Sequence, residues 1–189
     1  MRAKTHFYHL LTTAIFLIPA LLQAQNLEES NLQVSKTYVH EIDINNDNID
    51  GDVSNMAVTK QFGDRNAIKI VQKNTGDVSQ FSSVSQRGDD NQFYLIQEGF
   101  ENSISAEQNG YLNSMDIGIY GHSNDFEYTQ DGDLNKLKHR TYLNNGSGAI
   151  RQSGDNNEIN LDERGSNYLN GITVKQTGGM KVNITTSIK

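Results

Sequence analysis

Along most of this chain, apolar and polar residues alternate in short bursts. In one of them Asn91, Phe93, Leu95 and Gln97 share one parity, while Gln92, Tyr94 and Ile96 share the other. The same rule runs through Asn66, Ile68, Ile70, Gln72, through Asn102, Ile104, Ala106, Gln108, and through Asn113, Met115, Ile117, Ile119. It continues in Asn124, Phe126, Tyr128, Gln130 and in Asn157, Ile159, Leu161, Glu163. A period of two predicts half-buried β-strands, and no 3.6-residue stripe competes with it.

The bursts recur at a fixed interval. Gln86, Gln97 and Gln108 are 11 residues apart, Gln130 and Gln152 follow at 22, and Gln176 follows at 24. Most open the phrase Gln-x-Gly-x-x-Asn, as in Gln86 to Asn91, Gln97 to Asn102 and Gln108 to Asn113. Each predicted strand is followed by a turn centred on Gly63, Gly88, Gly99, Gly110, Gly121, Gly132, Gly154, Gly165 or Gly178, where the backbone must reverse. One 11-residue arm is thus a strand and a tight turn, and two arms make a 22-residue coil. A fixed period of this size implies stacked units. The predicted fold is all-β, a two-sheet parallel β-solenoid (cross-β) of about six coils. Twelve arms open at Asn55, Asn66, Gln80, Asn91, Asn102, Asn113, Asn124, Asn135, Gly146, Asn157, Asn170 and Met180.

Stacking arm n on arm n+2 predicts which side chains meet. On one sheet Gln61, Gln86, Gln108, Gln130, Gln152 and Gln176 form an unbroken column. On the other, Asn66, Asn91, Asn113, Asn135 and Asn157 do so, while the glutamines Gln72 and Gln97 give way to Ile119, Thr141 and Glu163. A lone buried amide would cost roughly 1–3 kcal/mol. In a ladder each amide oxygen accepts from the NH₂ of a neighbour ~4.8 Å away, which offsets that cost except at the end rungs. The end rungs and open strand edges can then template an incoming chain of the same spacing. Inward positions between the amides include Ile68/Ile70, Phe93/Leu95, Met115/Ile117, Leu137/His139 and Ile159/Leu161 on the asparagine sheet. The facing sheet offers Ala57/Thr59, Ser82/Val84, Ile104/Ala106, Phe126/Tyr128, Gly148/Ile150 and Ile172/Val174. Intervals of 14 residues before Gln86 and 13 before Gln176 predict loops that bulge near Asn74 to Asp77 and Ser166 to Leu169.

Composition fits such a stack better than an ordinary core. The 189 residues are 35% hydrophobic and carry no cysteine, which excludes disulfides, thiol nucleophiles and thiolate metal sites. Arg2, Lys4 and the apolar run Leu10 to Leu22 predict a signal peptide over residues 1–24, cut after Ala24. No later run is long enough to cross a membrane as a helix. Removing Arg2 and Lys4 leaves 14 basic against 23 acidic residues, a net charge of −9, so a nucleic-acid partner is not expected. Residues 25–54 lack the repeat and read as a poorly ordered, solvated leader ahead of a solenoid over residues 55–189. In that leader Asp43 to Asn48 begins like a calcium loop, but Asn48 stands where glycine is needed and Ser54 where a glutamate is needed. Neither a metal nor a cofactor is expected. The chain is not read as an enzyme: His40, His122 and His139 are far apart, and acid pairs such as Asp89/Asp90 sit at turns. His139 is inward, as a hydrogen-bonded structural residue would be.

The signal peptide, the in-phase Gln-x-Gly-x-x-Asn phrase, the 22-residue period and the lack of cysteine resemble the curlin family, subunits of bacterial curli amyloid fibres. The resemblance covers Asn55 to the C-terminus, and it implies that residues 25–54 take the place of the family's N-terminal secretion-targeting segment. It implies a fibre on the surface of a Gram-negative bacterium that supports adhesion and biofilm matrix. Implied partners are copies of itself, the major curlin subunit, and curli-type outer-membrane secretion and surface-anchoring factors. The tail Gln176 to Thr185, where Met180 and alternating aliphatics replace the amide brackets, looks like the irregular last repeat of the minor, nucleating subunit. A major, fibre-building subunit stays open, as does a monomeric secreted ligand-binding β-solenoid.

Overall fold

The computed structural model describes residues 38–46, 55–164 and 170–187. The predicted signal peptide, leader residues 25–37 and 47–54, Gly165 and the bulge at Ser166 to Leu169 lie outside them. The described residues contain no helix. Their strands are β1 (Tyr38–Asn46), β2 (Met56–Phe62), β3 (Asn66–Asn74), β4 (Phe81–Arg87), β5 (Gln92–Phe100), β6 (Ser103–Asn109), β7 (Ser114–His122), β8 (Asp125–Asp131), β9 (Thr141–Tyr142), β10 (Ser147–Ser153), β11 (Glu158–Arg164), β12 (Ile172–Thr177) and β13 (Lys181–Ser187).

Odd-numbered strands form a seven-stranded sheet in the order β1-β3-β5-β7-β9-β11-β13, and even-numbered strands a six-stranded sheet running β2-β4-β6-β8-β10-β12. Every pairing is parallel, and each strand lies beside the one two places on. The fold is therefore a two-sheet parallel β-solenoid of about six 22-residue coils. Its core is a thin seam between the sheets. Ile70, Leu95, Ile117 and Leu161 from the seven-stranded sheet meet Val84, Ile104, Tyr128 and Ile150 from the six-stranded one, all buried. Each fully buried side chain of this size contributes about 1.5–3 kcal/mol, and no described arm supplies more than three.

Nine residues of the expected leader form β1. Its register sets Tyr38 beside Asn66, Ile42 beside Ile70 and Ile44 beside Gln72. The alternation of the repeat is present there, but tyrosine and isoleucine hold the bracket positions, so a search for amide brackets passes over it. Two other departures are local. Residues 75–80 join β3 to β4 where residues 101–102 suffice between β5 and β6, which is where the 14-residue interval places its bulge. The arm opening at Asn135 keeps only β9 and single bridges through Lys136, with Lys138 at φ 142, a backbone region that side chains rarely occupy.

The turns explain the phrase Gln-x-Gly-x-x-Asn. Its glycine has positive φ, and so does the residue just before its asparagine: Arg65, Asp90, Glu101, Leu112, Ser123, Leu134 and Asn156 lie at φ 54–59. Each turn thus makes two left-handed steps, and only the first demands glycine. The demand is steric: a Cβ on Gly110 would run into the carbonyl oxygen of Gly132 in the next coil, whereas one on Gly178 meets nothing within 4 Å. Gly178→Ala is expected to cost about 1–2 kcal/mol from its positive φ alone. Gly110→Ala should cost clearly more, because a stacked carbonyl must also move. Urea midpoints of the two variants check the order.

Candidate functional site

The glutamine column is a continuous, one-way chain of hydrogen bonds. Gln61 Nε2 donates to Gln86 Oε1 at 2.8 Å, Gln86 to Gln108 at 2.7 Å, and Gln108 to Gln130, Gln130 to Gln152 and Gln152 to Gln176 at 2.8 Å each. The strands hold these residues in register, one per coil. The second N–H of each inner rung reaches a backbone carbonyl: Gln86 to Ala67, Gln108 to Gln92, Gln130 to Ser114 and Gln152 to Lys136. These inner side chains are almost fully buried yet satisfied, which is the condition for a polar core.

Because every rung donates in the same direction, the two ends differ. Gln61 Oε1 is buried without a hydrogen-bond partner. Gln176 Nε2 donates to Glu158 O at 3.0 Å, and its other N–H has only a 3.5 Å contact with Met180 O where earlier rungs have a glutamine. One end lacks a donor and the other an acceptor.

The asparagine column keeps the expected amide-to-amide contact at two rungs, Asn91 Nδ2 to Asn66 Oδ1 at 3.1 Å and Asn157 Nδ2 to Asn135 Oδ1 at 2.9 Å, but its unbroken chain runs to the backbone. Asn66 Oδ1 accepts the backbone N–H of Asn91 at 3.0 Å, Asn91 Oδ1 that of Asn113 at 3.1 Å, Asn113 Oδ1 that of Asn135 at 3.0 Å and Asn135 Oδ1 that of Asn157 at 3.0 Å. The amino groups of Asn66, Asn91 and Asn113 donate to the carbonyls of Gly88, Gly110 and Gly132 in the next coil. The shorter asparagine, placed at the corner, reads the backbone of the coil above. It ties strand start to turn. A second asparagine column, not singled out from the sequence, does the same on the six-stranded sheet: Asn102 Oδ1 accepts from the Asn124 backbone at 3.2 Å, and Asn124 Oδ1 from that of Gly146 at 2.8 Å. The arm openings Asn102, Asn124 and Gly146 are its signal.

Aspartates at the turns add a third device. Asp89, Asp133 and Asp155 accept the backbone N–H of Asp64, Tyr111 and Asp133 respectively, each in the preceding coil. On the seven-stranded sheet the glutamine ladder lasts one step, Gln72 to Gln97 at 2.8 Å. Gln97 then ends it by donating to Phe81 O and Asn102 O, beneath buried Ile119. The turn glycines Gly63, Gly88, Gly99, Gly110, Gly121, Gly132, Gly154 and Gly178 all have positive φ.

Further along that sheet the core turns titratable. His139 is 2% exposed, and its Nδ1 lies 2.6 Å from the hydroxyl of fully buried Tyr128. Phe126 packs edge-on to the imidazole. His139 and buried Glu163 both line a small cavity of about 20 Å³ beneath Gly148. Burial pushes the His139 pKa down to about 4 and that of Tyr128 up. On the outer surface, Tyr120 stacks on Tyr142 at 4.5 Å and Phe100 on His122 at 4.7 Å, flanking an open cleft of about 520 Å³. Among the described residues no group of three or more His, Asp or Glu is placed to hold a metal ion, and no helix is long and apolar enough to cross a membrane. Set against known proteins, the chain matches no family model, no curated protein and no solved structure.

Two outcomes follow from this geometry. Gln108→Ala strips Gln86 of its acceptor and Gln130 of its donor, and is expected to cost about 2–6 kcal/mol, since each orphaned buried group costs ~1–3 kcal/mol. Gln176→Ala orphans only Gln152 and should cost about half as much, as denaturant titration would measure. A second outcome concerns pH. His139 is neutral in the fold, with a pKa below its unfolded value, so the native state binds fewer protons and stability rises with pH. Between about pH 6.5 and 4 acidification should remove up to ~3 kcal/mol, and a Tyr128→Phe/His139→Leu double variant should flatten that slope in pH-dependent unfolding.

Proposed function

We propose that this chain is a secreted structural subunit of curli-type functional amyloid fibres, acting as the minor subunit that nucleates polymerisation of the major one at the surface of a Gram-negative cell. The single observation that carries this reading is the uninterrupted one-way glutamine ladder from Gln61 to Gln176, with its complementary unfinished ends. A stack whose last rung offers N–H and whose first lacks a donor extends by adding more of itself, and strand edges at either end invite the same addition. Adhesion and biofilm support are the roles the family resemblance attaches to such a fibre. Secretion and anchoring factors of the outer membrane, and export by the signal peptide, belong to the same proposal.

The last coil favours the nucleating role. Met180 stands where an asparagine bracket belongs, and Thr186 takes the register position of Glu163 and Thr141. A chain whose coils mostly carry amide brackets but whose arm through β13 replaces them suits one that starts a stack better than one repeated throughout it. The purified mature chain is expected to form thioflavin-positive fibres with a meridional reflection near ~4.7 Å. Trace amounts should shorten the lag of the major subunit from the same organism. A stable monomer over days at high concentration would defeat the amyloid reading in favour of a monomeric binding solenoid. An unchanged lag, with abundant long fibres of this chain alone, would make it the major subunit instead.

A further inference from the structure

The two sheets are out of step. Twelve repeat arms contribute six strands to each sheet, β2 to β12 and β3 to β13, and β1 makes the second sheet seven-stranded. In any flush stack of copies, both sheets must advance by the same number of rungs per copy, each rung being about 4.8 Å. If β12 of one copy lies beside β2 of the next, bringing Gln176 to Gln61, the strand that belongs beside β3 is β13. In the single chain that place is taken by β1.

We infer that β1 is a displaceable plug, holding the edge of β3 that β13 of a second copy occupies in the assembled stack. The inference rests on the fibre-subunit reading above and adds to it the step that regulates joining. The edge in question is a real hydrogen-bonding edge. Ala67 N donates to Asn91 O in the following coil, so in a parallel ladder the alternate N–H groups of Ile68, Ile70 and Gln72 face the other way, toward β1. The plug is also an imperfect occupant. It sets Ile44 beside Gln72, whose buried Oε1 has no hydrogen-bond partner, where the next rung has a glutamine pair. Carried along the same column, β13 would bring Thr186, a residue with a hydroxyl donor, to that position. It would also set Val182 and Ile184 against Ile68 and Ile70, where β1 sets His40 and Ile42. A strand that closes the edge but leaves an amide unanswered can be exchanged for one that answers it.

The sequence contains no cysteine, which permits a clean lock. Glu41 and Lys69 are register neighbours on β1 and β3, and adjacent strands bring their Cα atoms within the ~4.4–6.8 Å span of a disulfide. In the full mature chain, E41C/K69C is expected to assemble like wild type when reduced. When oxidised it should lose the ability to form fibres, stop growth on wild-type seeds after a single addition, and recover on adding reductant. A second variant, Asp43→Pro, releases β1, because the Asp43 N–H is one of those that face β3 while the N–H of Ile42 faces away. In monomers it should abolish the hydrogen-exchange protection of the Ile68, Ile70 and Gln72 amides, and it should shorten the assembly lag several-fold. Equal assembly of the oxidised and reduced forms would overturn the plug while leaving the fibre reading intact. So would fibres in which residues 38–46 remain protected. If wild type and the reduced variant both fail to assemble, the fibre reading falls, and the plug with it.

Discussion

Everything in this molecule depends on one coil finding, about 4.8 Å above it, the partner of each of its polar groups. A buried glutamine in an ordinary core is a liability, because nothing guarantees a second amide at the right distance and angle. In a parallel stack in register the guarantee comes from the backbone: Gln86, Gln108 and Gln130 occupy equivalent sites because their strands do. A sequence that is only 35% hydrophobic can therefore be buried without an ordinary core. The apolar seam from Ile70 to Leu161 supplies cohesion, and the amides on either side of it fix the register. A slip of one residue would replace each ladder contact with a mismatched one and send the apolar set outward.

The two amides divide this labour by length. Glutamine sits late in the strand, where its longer side chain lies along the stack and meets another glutamine. Asparagine sits at the corner, where Oδ1 takes the backbone N–H of the next asparagine and Nδ2 takes the next turn's glycine carbonyl. That glycine carbonyl is also what forbids a Cβ on the glycine beneath it, as Gly88 O does to Gly63. Turn glycine and corner asparagine are thus one device: the first leaves room for the carbonyl and the second binds it. The left-handed residues between them, such as Asp90 and Leu112, carry strain of about 1–2 kcal/mol each, which the corner hydrogen bonds offset.

Period and parity make the architecture legible. Once Gln61, Gln86 and Gln108 are placed in one column, the register of every arm follows, including the apolar pairs at Ile68/Ile70 and Phe93/Leu95. What parity does not supply is depth and partner. That Tyr128 and His139 meet across the seam depends on how far each side chain reaches from facing strands, a distance that no spacing encodes. The partners of the asparagines stay hidden for the same reason, because alternation says which face a side chain takes and not whether it bonds to side chain or backbone. The strand β1 escapes for the opposite reason. Its alternation is visible in Tyr38, His40, Ile42 and Ile44, but amide brackets are the mark by which the other arms are recognised, and β1 has Tyr38 and Ile44 in their place.

The stack is also uneven along its length. In a linear array, stability is a sum of unit and neighbour terms, so a weak junction stays weak wherever it lies. Through the coils of Gln72 and Gln97 both sheets carry glutamine pairs. Beyond them the seven-stranded sheet replaces the amide with Ile119, then with Thr141, whose buried hydroxyl has no partner. In the same arm Lys138 strains the backbone, only Thr141 and Tyr142 remain in a strand, and His139 is buried close to the cavity that Glu163 also lines. These departures fall together, and all lie on one sheet, while the glutamine column of the other sheet passes them unbroken through Gln130 and Gln152. One sheet holds the register continuously, which leaves its neighbour free to vary without loss of register.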